Sequence, residues 1–294
     1  MTYDQASGLR QKVNRLTGNL AKTVAVVSGK GGVGKSNISM NFGLNLTQYG
    51  KKVLIFDMDI GMGNIHVLSG ITGERSIVEF FEKGCSLEEL IINGTEGVSY
   101  ILGGSGLSKL IEWDDHYLER WLSAIEELQY QYDYLIFDMG AGVTKESLEI
   151  LMSVEDIFVV TTPEPTSITD AYSMLKFIHL RGGTNTFYLV CNRAESLAEG
   201  REVIMRLQNV VDRFLQREII ELGILPEDRH VKQAVTKQMP FSLAFPHASI
   251  STACKTMTNN YLTGSNAPSF NGKSSRFIEK LRHFFMKGRG ENEK

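Results

Sequence analysis

The stretch AVVSGKGGVGKSNIS, residues 25–39, limits the possible folds more than any other part of the chain. Gly29, Gly34, Lys35 and Ser36 meet the spacing G-x-x-x-x-G-K-[ST], a loop whose backbone N–H groups cradle phosphates. Such a loop works only between a strand and the start of a helix, where the N–H groups and the helix dipole favour an anion. Both neighbours are present: the apolar run TVAVVS (23–28) precedes it, and the helically periodic NISMNFGLNLTQ follows it as far as Gly50, a helix stop. Residues Gly29, Lys30, Gly31, Gly32, Val33, Gly34, Lys35, Ser36 and Asn37 form the predicted phosphate-binding set. In it Lys35 reaches the β- and γ-phosphates and Ser36 ligates Mg²⁺. One lysine is enough for that task, so Lys30 requires another use.

Further apolar runs recur at 52–57, 132–138, 156–163, 187–192 and 220–225, with longer amphipathic stretches between them. Continuous Val/Ile/Leu/Phe runs alternating with helices predict an α/β fold. The expected form is a doubly wound, mostly parallel sheet covered by helices on both faces, with appendage helices at each end. The expected organisation is an N-terminal partner-activating segment (1–20), a catalytic domain (21–262), a flexible linker (263–275) and an amphipathic helix (276–288). A formal net charge of −3 gives no global reason to expect nucleic-acid binding. Cys85, Cys191 and Cys254 lack metal-ligand spacing and read as free thiols. Nowhere do 18 apolar residues run together, as a membrane-spanning helix would need.

Two strand ends carry carboxylates that suit the same site. FDMDIGMGN places Asp57 and Asp59 after the second run, and LIFDMGAG places Asp138 after the third. Ligands of open α/β sheets bind at the carboxyl ends of strands. Acidic groups there suit Mg²⁺ and its water shell, and one is placed to orient an attacking water. The alternative is that these aspartates only cap turns.

KGGVGKS (30–36) resembles the deviant phosphate loop of the MinD/ParA/nitrogenase-iron-protein family of ATPases. In that family two protomers sandwich two ATP molecules, and the additional lysine reaches the partner's nucleotide; the resemblance gives Lys30 that role. DMDIGMGN (57–64) resembles the first switch of the family. It implies water orientation by Asp59, a place near Mg²⁺ for Asp57 and a dimer-face contact by Asn64. FDMGAG resembles the second switch, with Met139 replacing the usual small hydroxyl residue and Asp138 contributing to the Mg²⁺ site. TTPEPTSITDAY (161–172) matches a segment whose aspartate, here Asp170, lies at the dimer face. CNR (191–193) and GILPEDRHVKQAVTKQMP (223–240) correspond to the adenine-binding end, which implies Asn192, Arg193, Pro226, Glu227 and Asp228 as base contacts. The implied activity is slow hydrolysis of ATP to ADP and phosphate with Mg²⁺, in a homodimer that forms with ATP.

In the tail, Phe277, Ile278, Leu281, Phe284 and Phe285 share one helical face. Residues 273–290 hold six lysines and arginines against Glu279 alone. This pattern predicts a helix lying in an anionic bilayer interface; the other possible occupant of the stripe is the chain's own domain. The implied location is the cytoplasm, with reversible attachment to the inner face of the inner membrane. At the other end, DQASGLR (4–10) resembles the opening of FlhG (FleN/YlxH) proteins, MinD-like regulators of flagellar number and placement. There this segment stimulates the signal-recognition-particle-type GTPase FlhF, and Gln5 matches the glutamine directed to the GTP site. Flagellar basal-body proteins are further implied partners, and no specific nucleic acid is expected. Division-site MinD and DNA-partition ParA ATPases share much of the resemblance and remain alternatives.

Overall fold

The computed structural model describes residues 20–59, 65–71, 76–103, 115–140, 145–264 and 276–290. Eight strands form one sheet: β1 (Lys22–Val27), β2 (Val53–Met58), β3 (Ile92–Asn93), β4 (Val98–Ile101), β5 (Tyr134–Met139), β6 (Asp156–Thr161), β7 (Thr186–Ala194) and β8 (Ile220–Pro226). Their order is β3-β4-β2-β5-β1-β6-β7-β8, parallel throughout except that β3 runs antiparallel to β4. The six apolar runs all became strands. β3 and β4 were not anticipated, because two and four residues carry too little periodicity to register.

The described helices are α1 (Lys35–Gln48), α2 (Ile65–Ser69), α3 (Ile77–Glu82), α4 (Asp115–Gln131), α5 (Lys145–Ser153), α6 (Pro165–Leu180), α7 (Leu197–Leu215), α8 (Arg229–Thr236), α9 (Phe241–Ala244), α10 (Ser249–Thr263) and α11 (Arg276–Gly290). Alternate strand residues feed two apolar cores, one on each face of the sheet. Val24, Val26, Ile55, Ile136, Phe158 and Val190 pack with α1 and α10. Ala25, Val27, Phe56, Phe137, Val159 and Leu189 pack with α4, α5, α6 and α7 on the other side. A strand buried on both faces needs apolar residues at every position, which is why the runs are continuous rather than alternating.

Helix α11 belongs to this second core. Phe277 is 1%, Leu281 0% and Phe285 4% exposed, Ile278 is buried and Phe284 partly so. The Phe277 ring lies 5.7 Å from that of Phe137 and the Phe285 ring 5.8 Å from that of Trp121. Arg282 pairs with Glu119 at 2.7 Å, and Lys280 Nζ donates to Thr184 Oγ1 at 3.0 Å. The stripe that the sequence assigned to a bilayer is therefore covered by α4, α5 and β5 of the same chain. An apolar helix face takes whichever apolar surface is nearest, and here an intramolecular one is within reach.

Candidate nucleotide site

The turn after β1 carries the loop to the amino end of α1. Gly34 sits at φ 98°, in the left-handed region, and no side chain caps the helix. The first-turn N–H groups of α1 are thus available to an anion rather than consumed by the chain. Lys35 is 8% exposed, and its Nζ donates to Ser28 Oγ at 2.9 Å. Ser28 Oγ in turn donates to the Lys30 carbonyl at 2.7 Å, tying both lysines of the loop together. Burial lowers the pKa of Lys35, and the charges of Asp138 and Asp59 oppose that shift. A desolvated ammonium facing two carboxylates is ready for a more highly charged anion.

β2 and β5 pair with Asp57 directly beside Asp138. Asp138 is fully buried and accepts from Ser39 Oγ at 2.9 Å and from the Ser36 side chain. Burial pushes its carboxyl up to about 7, despite the two serines and Lys35, with Asp57 adding to the rise. A carboxylate held this far up lacks cationic charge that a metal ion beside Ser36 would provide. Asp57 serves the chain differently. Its oxygens accept from the N–H groups of Asp59 at 3.1 Å and Ile65 at 3.4 Å, so it ties the end of β2 to the start of α2. Burial still raises it to about 6, against those two N–H groups. Among the described residues no three His, Cys, Asp or Glu side chains are grouped to hold a metal by themselves. A divalent ion here would need Ser36, Asp138 and the nucleotide's own oxygens, which fits Mg²⁺ in a phosphate site.

The base end lies between β7, β8 and α8. A cavity of about 160 Å³ is lined by Asn37, Asn192, Arg193, Pro226, Glu227 and Asp228, among others. Asn192 Nδ2 donates to the Val33 carbonyl at 2.7 Å, linking the base end to the phosphate loop. Arg193 adopts φ 57° and its Nε lies 3.8 Å from a Glu227 oxygen. Asp228 lines the cavity, but its carboxylate is engaged elsewhere. It accepts from His230 N at 2.9 Å, Ser249 Oγ at 2.8 Å and Ile250 N at 3.2 Å, capping α8 and joining it to the start of α10. Partial burial would raise it, yet these donors hold it at about 2.

Lys30 is 43% exposed at its side chain and pairs with Glu164 at 2.6 Å. Next to it α6 crosses the loop so closely that a side chain on Gly29 would collide with the Asp170 backbone. The structure thus brings Gly29, Lys30, Gly34, Lys35, Ser36, Asp59 and Asp138 to one end of the sheet, with Asp170 alongside. Gln5 and Asn64 lie outside the described residues. Ser28, Ser39 and Glu164 were not singled out from the sequence. Ser28 and Glu164 stand inside quoted motifs, but their partners are known only from the fold.

A parallel sheet with this lysine-bearing loop and buried aspartates at its carboxyl ends defines the class: a P-loop nucleotide hydrolase. Three comparisons narrow it. The ParA family profile, described as NUBPL iron-transfer P-loop NTPase, matches residues 19–262. Antiactivator FleN of Pseudomonas aeruginosa is 32% identical over 260 residues, covering 88% of this chain and 93% of FleN. Flagellum site-determining protein YlxH of Helicobacter pylori is 33% identical over 220 residues, covering 74% of each chain. In fold, the chain is similar to septum site-determining protein MinD of Pyrococcus horikoshii complexed with Mg-ADP, with TM-score 0.66, 20% identity and 84% and 98% coverage. The chain belongs to the FlhG (FleN/YlxH) group of the ParA/MinD-like ATPase family. No helix among the described residues is long and apolar enough to cross a membrane.

Proposed function

We propose that this ATPase is a dimerising, membrane-attaching switch that controls the number or placement of flagella. Two protomers close face to face when each holds ATP and Mg²⁺. Lys35 and the first-turn N–H groups of α1 bind the β- and γ-phosphates. Ser36 and Asp138 hold Mg²⁺, which neutralises charge on the phosphate oxygens. Asp59 positions the attacking water, and Lys30 supplies its charge to the partner's nucleotide. Asn192 spends its Nδ2 on Val33, so Oδ1 is left to accept from the amino group of adenine. Guanine carries a carbonyl at that place and would be repelled.

The observation that carries the membrane part is the seat of α11. This cationic amphipathic helix rests on α5 and on Phe137, the residue before Asp138. A change at Asp138 on closure therefore acts directly on the surface that stores the helix. Released in pairs, two α11 helices bind an anionic bilayer with avidity that one helix lacks. The segment 1–20 is read as the activator of an FlhF-type GTPase, with Gln5 as the residue that acts in trans.

Liposome co-sedimentation tests the switch. Anionic vesicles should pellet the protein with ATP but not with ADP, and removal of residues 273–294 should abolish pelleting. Equal pelleting with both nucleotides would contradict it. GTPase stimulation by the isolated 1–20 peptide tests the activator role separately.

A further inference from the structure

Lys30 does not project freely from the loop. Its Nζ lies 2.6 Å from Glu164 Oε2 and 3.3 Å from Thr166 Oγ1, both at the amino end of α6. Glu164 precedes Pro165, and its backbone at φ −59°, ψ 130° is not helical. Its carboxylate therefore stands at the positive end of the α6 dipole, a favourable place for an anion. The backbone of Lys30 is fixed as well, through the bond from Ser28 Oγ. The close crossing of α6 at Gly29 sets the distance between loop and helix. The hydrogen bond and charge of Lys30 hold the Glu164 carboxyl below its usual range, with Arg193 helping. Both partners are about half exposed, so the pair can open without disturbing the fold.

The geometry points to Glu164 as a positioning residue that keeps Lys30 on its own protomer until a partner's bound triphosphate displaces it. This inference rests on the reading that Lys30 acts on the partner's nucleotide. One carboxylate offers a single negative charge, whereas a triphosphate offers several. The lysine thus has reason to leave only for a partner carrying the γ-phosphate. Glu164 sets the threshold of closure, and it biases closure toward the ATP state over the ADP state.

Two measurements test this. Glu164→Gln keeps the shape and removes the charge, at a surface position that the fold does not depend on. Exposed ion pairs are weak, so the dissociation constant of the ATP-bound dimer should fall by about two- to fivefold at low salt. The difference should shrink in about 0.5 M NaCl, where the pair is screened. Nucleotide affinity of the monomer should not change, which separates the effect from damage to the loop. Unchanged or weaker dimers would overturn the inference. The second measurement is zero-length carbodiimide cross-linking read by mass spectrometry. A Lys30–Glu164 isopeptide should form with ADP and disappear with ATP under dimer-forming conditions. No such cross-link with ADP, or its persistence in ATP dimers, would overturn the inference. Failure of the wild type to dimerise with ATP would sink the switch proposed above, while the ADP cross-link would still report whether Glu164 holds the lysine.

Discussion

At the carboxyl ends of β1, β2 and β5, charged groups are buried more deeply than their partners offset: burial raises Asp138 and Asp57 and lowers Lys35. On the face of α4 and α5 the opposite holds, since Phe277, Leu281 and Phe285 fill their apolar seat almost completely. The first region is incomplete without a ligand that the chain does not provide. The second is complete because the chain provides the ligand itself. A site held short of its counter-charge binds what it lacks, whereas a site filled from within exposes apolar surface only when its occupant leaves. The two regions meet at adjacent residues, Phe137 and Asp138.

The largest effect expected is at the incomplete end. Lys35→Ala removes the buried cation from the phosphate site and should weaken nucleotide binding by about 100-fold or more, measured by calorimetry. The fold should survive, because Lys35 serves the ligand more than the core. At the filled end, Phe277→Ala should cost at most about 3–5 kcal/mol. α11 packs as one helix on α4, α5 and Phe137, so hydrogen exchange should accelerate in 276–290 while β1 and β5 stay protected. Equal acceleration in β5 would mean that α11 is no separable element.

A smaller effect belongs to Asp228, which lines the base cavity while its carboxylate caps α8. Asp228→Ala should destabilise the fold by about 1–2 kcal/mol at neutral pH, in urea unfolding. Its carboxyl stands at about 2 in the fold rather than the ordinary 3.8. Because the folded value is depressed, its stabilisation is present above about pH 4 and is lost as pH falls through 2. Wild type and variant should therefore converge in acid. Smallest of all is Arg282→Ala, which breaks the exposed pair with Glu119 and should change stability by less than about 1 kcal/mol.

The phosphate site was legible in sequence because its chemistry is local. Eight consecutive residues and one following helix specify where a phosphate goes, whatever the rest of the chain does. Asp57 shows the limit of that legibility. Its place at the end of β2 follows from the pattern, but its engagement with the N–H groups of Asp59 and Ile65 does not. The amphipathic character of 276–290 was equally plain, yet not its occupant. A stripe of five apolar residues states how much surface must be covered and says nothing about what covers it. In the fold that surface is the seat formed by Trp121 and Phe137, which lie more than 100 residues away in sequence. Lys30 is intermediate: its type and position mark it as unusual, but its resting partner, 134 residues on, appears only in three dimensions.

The central claim is that two copies of this chain complete each other through Lys30. Sedimentation analysis with ATP and Mg²⁺ on Asp59→Ala and Lys30→Ala proteins tests it most directly. Asp59→Ala should accumulate stable dimers, because closure precedes the step that it blocks, and Lys30→Ala should remain monomeric with unchanged fold. Dimers in the Lys30 variant as abundant as in the wild type would contradict the account.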